Sequence, residues 1–295
     1  MSPDNARMRL LPMAVLLLLA AAPAATERQV EDTGIVTLTL GTVPLRVRIS
    51  PAAPAMPIFS QAAADRAGMK GGPSGAQFVI GPVKHAARTR VATLAIGDSR
   101  FERLVAWTPE PFAPGLDGVI GPGGLPDPVV RFVLGSPRVG ERTLSLPLDG
   151  SHPGFSAGTA MLGGVKTAVR FDPQAPRTVA SAAVGVALAN AHRGVLSGDP
   201  QPVLIAFGVS RPVRTLTLGE PAALGPLVLS SIAVRVGDGG AANTIREADA
   251  DPDEVLVAAK GKRGRAGLLI GRDLLGRCSS LVFDKPAKVV RLTCG

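Results

Sequence analysis

The chain has 295 residues and a formal net charge of +9; apolar residues make up 46% of it, with 35 glycines, 27 prolines, no tyrosine and one tryptophan. This is a composition of short strands and turns. The basic excess is mostly arginine scattered through strand-like runs, without the aromatic and basic clustering of a nucleic-acid surface, which excludes nucleic acid as a partner. It reads as a solvated basic surface, with anionic envelope components such as lipid headgroups or polysaccharide as the partners such a charge would favour.

In chain order, Arg7 and Arg9 precede an apolar run from Leu10 to Ala22 and the small-residue stretch Ala22-Pro23-Ala24. That is the layout of a secretory signal peptide, residues 1–24, cleaved near Ala24 or Ala25. The run is too short to span a bilayer and holds Pro12, so no membrane anchor is expected after cleavage. No cysteine lies nearby to be acylated. The expected location is periplasmic or secreted.

Strand-like alternation follows at Thr37 to Leu40 and Leu45 to Ile49, then a Pro turn, then an alanine-rich stretch from Ser60 to Ala67 that suits a short helix. The apolar-apolar-Gly segment Gly118-Val119-Ile120-Gly121 and a strand at Val129 to Leu134 close this part. Residues 148–159, rich in Gly, Ser and Pro, read as a linker. Beyond it the order recurs: strand Val165 to Val169, a Pro turn, an alanine-rich stretch Ala180 to Ala191, and Gly267-Leu268-Leu269-Ile270-Gly271. Residues 237–265 carry charge, Gly and Ala without alternation and read as a surface-loop insertion. Its acidic stretch Glu247 to Glu254 and basic run Lys260 to Arg265 are expected to offset each other.

The only cysteines, Cys278 and Cys294, flank two β-rich runs around a turn at Asp284 to Lys288. Folding about Pro286 sets them opposite each other on antiparallel strands, the separation a disulfide needs. A bond is expected in an oxidising compartment. His85, His152 and His192 are dispersed and form no ligand cluster, so no metal and no cofactor is expected; each reads as a surface or loop residue.

The recurrence is literal in one place. Val-Arg-Ile-Ser-Pro-Ala-Ala-Pro begins at Val47 and Val-Arg-Phe-Asp-Pro-Gln-Ala-Pro at Val169, with five of eight positions identical and a sixth an apolar exchange. The chain therefore reads as two copies of one unit, residues 25–147 and 160–295.

The order of strand, tight turn, short helix, hairpins and apolar-apolar-Gly before a closing strand resembles the lobe of pepsin-like and retropepsin-like aspartic proteases. Gly267 to Leu275, with Val282-Phe283-Asp284 and Val289 to Leu292, is similar to the C-terminal part of bacterial retropepsin-like domains. The resemblance implies a mainly β fold of two homologous lobes related by a pseudo-twofold axis, with short helices. It places the turns Ser50-Pro51-Ala52 and Asp172-Pro173-Gln174 where the family carries Asp-Thr-Gly or Asp-Ser-Gly.

Those turns depart from the family's chemistry. Two close carboxylates share a proton, so that one stays protonated while the other takes a proton from the attacking water. With Ser50 in place of one, Asp172 titrates as an ordinary acid unless burial raises it. Pro51 and Pro173 lack the hydroxyl and the N–H that tie the turns together, and Ala52 and Gln174 carry a Cβ where the family has glycine. The family's flap tyrosine is absent. The resemblance thus implies a degenerate site that binds extended peptide, protein or envelope components across the cleft without cleaving them, with Ser50, Pro51, Ala52, Asp172, Pro173 and Gln174 as lining residues. Two alternatives stand beside it: an active endopeptidase in which Asp172 finds an unplaced partner, such as Asp172 of a second copy through homodimerisation, and an unrelated exported β structural protein; Asp65, Asp98 and Asp117 stand in contexts other than the turn after the apolar strand, and Asp117 reads as a residue that opens the lobe's closing strand.

Overall fold

A computed structural model describes residues 27–31, 33–70, 74–149, 156–237, 242, 245 and 266–295. The expected signal peptide lies outside them. Up to residue 133 the elements are β1 (Glu27–Val30), β2 (Ile35–Leu40), β3 (Val43–Ile49), β4 (Ile58–Ser60), α1 (Gln61–Arg66), β5 (Ser74–Ile80), β6 (Val83–Ile96), β7 (Ser99–Thr108), β8 (Gly118–Ile120), a 3₁₀ turn (Pro122–Gly124) and β9 (Val129–Val133). After them come β10 (Arg142–Asp149), β11 (Ala157–Leu162), β12 (Val165–Phe171), β13 (Val179–Ala180), α2 (Ala182–His192), β14 (Val195–Ala206), β15 (Val209–Leu224), β16 (Leu227–Arg235), β17 (Gly267–Ile270), α3 (Arg272–Leu275), β18 (Cys278–Asp284) and β19 (Val289–Cys294).

The fold is mainly β, and the strand order is written twice. One sheet runs β2-β3-β8-β4-β7-β6-β5; the other contains β11-β12-β17-β13-β16-β15-β14. Corresponding pairs share their sense: β3 with β8 and β12 with β17 are parallel, β4 with β8 and β13 with β17 antiparallel, β4 with β7 and β13 with β16 parallel. The copies differ in closure. In the first, β2 also pairs with β6 through Thr39 and Leu40; in the second, β11 instead continues into β10, β19, β18, β9 and β1.

Local chemistry explains the elements. Alternation in β3 buries Leu45, Val47 and Ile49, and in β12 it buries Thr167, Val169 and Phe171, as period-two strands with one packed face must. Ser60 caps α1 by accepting the Ala63 N–H at 3.2 Å, and Ser181 caps α2 by accepting the Val184 N–H at 3.4 Å, satisfying donors a helix start leaves open. The apolar-apolar-Gly motif has a steric cause. A Cβ on Gly121 would collide with the Ala53 carbonyl, and one on Gly271 with the Arg177 carbonyl.

Both halves and the C-terminal hairpin share one main core, which includes Leu38, Phe59, Trp107, Phe132, Phe171, Leu188, Phe283 and Val290. Each such large side chain contributes about 1.5–3 kcal/mol by burial. Phe132 of β9 meets Phe283 of β18 edge-on at 5.9 Å. Cys278 and Cys294 are opposed on β18 and β19 and joined by a disulfide.

Three expectations change. Residues at both ends of the expected linker are strand: Leu148 pairs with Gly158 and Asp149 with Ala157, because apolar Leu148 and Leu146 continue a strand alternation that the nearby glycines mask. Residues 150–155 lie outside the described set. Within the expected surface insertion 237–265, Ala242 and Ile245 are buried and Ile245 joins the main core; its other residues up to 265, apart from exposed Gly237, are outside the described set. His85 is not a surface residue, since its ring stacks on Phe207 with centroids 5.1 Å apart. His152 lies outside the described residues.

Candidate functional site

The turns after β3 and β12 are built alike. The Ser50 N–H donates to the Ile120 carbonyl at 3.0 Å, and the Asp172 N–H to the Ile270 carbonyl at 2.9 Å. Each residue then accepts from two positions on: Ala52 N–H to Ser50 Oγ at 3.2 Å, Gln174 N–H to Asp172 Oδ1 at 2.9 Å. Ala53 and Ala175 close the turns with N–H bonds to the Ser50 and Asp172 carbonyls, both at 3.1 Å. The supports differ. In the second unit Asp273 accepts from the Thr178 N–H at 2.9 Å and the Thr178 hydroxyl at 2.8 Å, while that hydroxyl accepts the Gly271 N–H at 3.1 Å.

Both turns reach one cavity of about 590 Å³. Period two decides which residues do so: Arg48, Ser50 and Ala52 from the first unit, Ala168, Arg170, Asp172 and Gln174 from the second. Pro51 and Pro173, on the alternate face, fall on a second cavity of about 530 Å³ beside β1 and β9. Arg48, Ser50 and Gln174 border both.

Among the described residues lining the larger cavity, Asp172 is the sole carboxylate, against three guanidinium groups, Arg48, Arg170 and Arg235. Burial pushes the Asp172 carboxyl up from its ordinary value; the N–H groups of Gln174 and Ala175 and the charges of Arg48 and Arg170 oppose this without cancelling it. Arg170 is pushed down, first by burial and then by the like charge of Arg235, with Asp172 opposing. Asp117, by contrast, sits before β8 as a structural residue: it accepts from the Arg46 N–H at 2.8 Å and from Arg66 at 2.6 Å. Burial would raise its carboxyl, but Arg66 and the Arg46 N–H together hold it below the ordinary value.

The cavity walls come from two sheet ends. β5 ends one sheet and β14 the other, and Phe78, Val79 and Ile80 face Leu204, Ile205 and Ala206 around the opening. Phe207, at the tip of the β14–β15 hairpin, crosses to the first unit and packs against Phe78, His85 and Phe112, each with centroids 5.0 to 5.1 Å away. It does so at a φ of 52°, a left-handed conformation that a bulky side chain adopts at a cost.

Sequence reasoning missed the arginines and the aromatic bridge. Arg48 and Arg170 were visible: each stands two residues before its turn in the repeated segment, which puts it on the same strand face as Ser50 or Asp172. Scattered-surface reading hid them. Phe207 follows Ala206 without any motif, and its tertiary contacts alone reveal it.

No protein-family model matches the chain. No curated protein matches it in sequence. Among solved structures the chain is similar to an aspartic proteinase from Irpex lacteus, at 11% identity and a TM-score of 0.41 over 88% of this chain and 93% of that one. A likeness at that score carries no inference about activity. Among the described residues, no helix is long and apolar enough to cross a membrane.

Proposed function

We propose that this is an exported, aspartic-protease-like protein that binds extended peptide in the cleft between its two units and does not cleave it. The observation that carries the reading is the pairing of Ser50 with Asp172 at matched turns on one cavity whose described lining holds no other carboxylate. A lone acid cannot divide the tasks of base and acid as a proton-sharing pair does.

Binding needs no second acid. β5 and β14 end their sheets beside the cavity, and a strand at a sheet end offers unpaired N–H and C=O groups to an added extended segment. Val79 and Leu204 are well exposed there, at 59% and 55%, which suits apolar side chains of such a segment. The disulfide between Cys278 and Cys294 accords with an oxidising compartment.

The test pairs two assays on the purified full chain. Titration of fluorescent octapeptides by polarisation is expected to show saturable binding, and mass spectrometry of the same peptides after long incubation from pH 3 to pH 8 is expected to show them intact. Cleavage abolished by Asp172→Asn would overturn the non-catalytic part. Absence of binding by any peptide would overturn the rest.

A further inference from the structure

The outer part of the β14–β15 hairpin is an arm fastened at its tip. β16 accompanies β15 only as far as Val213; beyond that point residues 201–206 and 209–212 pair as strands with each other alone. Of residues 198–212, only Ala206 and Phe207 are buried. At the base the strand register breaks between Ser197 and Gln201, and Gly198 stands there at a φ of 72°, an irregularity able to absorb the backbone change of a hinge. Arg214 Nε donates to the Gly198 carbonyl at 2.8 Å, which fixes the point about which the arm turns.

The tip packs into the other unit. Ala206 and Phe207 join a small apolar cluster, separate from the main core, whose other buried members are Ala53, Ile58, Ile80, Ala87, Ala106 and Val119 of the first unit. Phe207 and Gly208 make a two-residue turn with φ of 52° and 71°, a geometry that favours Asn-Gly. Phenylalanine in the first place carries a backbone cost, and an outlier of that kind points to a use for the ring. The arm thus crosses from the second unit to the first, and Leu204, Ile205, Ala206 and Phe207 line the cavity that also holds Ser50 and Asp172. We propose that this arm is a strap that holds the cleft shut, latched by Phe207 in the first unit, and that a ligand reaches the cavity when the latch releases. A limb buried only at its tip opens without unfolding the core. The proposal adds control of access to the peptide-binding reading and rests on that reading for what enters.

The experiment reads access to the cavity with a thiol placed on it. Cys278 and Cys294 are bonded to each other, so Ser50→Cys in the full chain supplies the single free thiol, and a maleimide dye reports how often the cavity opens. Labelling is expected to be slow, and about tenfold or more faster when Phe207→Gly is added. Phe112→Ala loosens the same contact from the first unit and is expected to act in the same direction, which covers a failure of the glycine variant to fold. Val184→Cys, at a core position with 0% exposure, is the control for general loosening and is expected to stay slow in both backgrounds. Amide exchange in Phe207→Gly is expected to quicken more in residues 201–212 than in residues 213–217, where β16 still pairs. Fluorescent octapeptides that bind the unaltered chain are expected to associate severalfold faster with Phe207→Gly.

Labelling of Ser50→Cys at one rate with and without the Phe207 ring would overturn the strap. Equal acceleration of the Ser50→Cys and Val184→Cys thiols would also overturn it, since Phe207 would then only stabilise the fold. Faster labelling at Ser50→Cys alone, with no octapeptide bound by either form of the chain, would leave the strap standing and overturn the peptide-binding reading.

Discussion

Ser50 and Asp172 occupy the same place in two copies of one strand-and-turn unit: each N–H donates to the last residue of the parallel neighbour strand, Ile120 or Ile270, at 3.0 and 2.9 Å. One position holds a hydroxyl and the other an acid, and both border the same cavity.

Ser50→Asp would put a second carboxylate into that cavity. Like charges in one site disfavour each other's ionisation, so Asp172 is expected to move further up than it already stands. Carboxyl titration by NMR checks this. Peptide cleavage is not expected to appear, because Pro51 and Pro173 still lack the N–H groups that would orient the pair.

Asp172 and Asp117 should leave opposite marks on stability against pH. Asp172 is raised by burial above its ordinary 3.8, so the folded chain keeps a proton the unfolded chain has lost, and its contribution falls as pH rises from 3.8 through the folded value. Asp172→Asn is expected to remove that fall, so that the variant gains on the wild type in thermal melts as pH rises through the window. Asp117 is held below 3.8 by Arg66 and the Arg46 N–H despite partial burial. Its contribution is present above 3.8 and lost as pH falls through the lower folded value, and Arg66→Ala is expected to diminish that acid-side loss.

Reducing the Cys278–Cys294 disulfide, or replacing both cysteines by serine, is expected to cost about 3 kcal/mol, since the sequence separation is 16 and a loop of that size carries about that much closure entropy. Urea unfolding with and without reductant reads the difference.

Phe207→Ala is expected to destabilise by about 3 kcal/mol through lost core contacts. Phe207→Gly removes the same ring but suits the φ of 52°, so it should cost less than the alanine variant. In both, amide hydrogen exchange is expected to quicken in β5, β6, β14 and β15 and to stay unchanged in the disulfide-linked β18 and β19.

Much of this was legible in the chain because it was written twice. The Val-Arg-x-x-Pro-x-Ala-Pro repeat marked both turns, the apolar-apolar-Gly motifs marked the strands that lie against them, and the alanine-rich stretches Ser60 to Ala67 and Ala180 to Ala191 marked both helices. The cysteine spacing marked the pairing of β18 with β19. Properties that depend on distant contacts stayed hidden. An arginine on a strand looks alike whether its face meets water or a cavity, and only the meeting of β3, β12 and β16 reveals that three of them converge. Phe207 likewise acquires its meaning from Phe78 and Phe112, far away in sequence.

The placement of β18 and β19 bears on the order of events during folding. These strands come last in chain order in their sheet, yet they sit inside it, between β9 and β10. Until they arrive, β9 and β10 have no partner on that side, and an open strand border is an invitation to pair wrongly. Completion waits on contacts of very long sequence separation, such as Ser280 with Val133 and Arg142 with Cys294, which makes the final step slow. A chain with this arrangement cannot complete its longer sheet before β18 and β19 have been made.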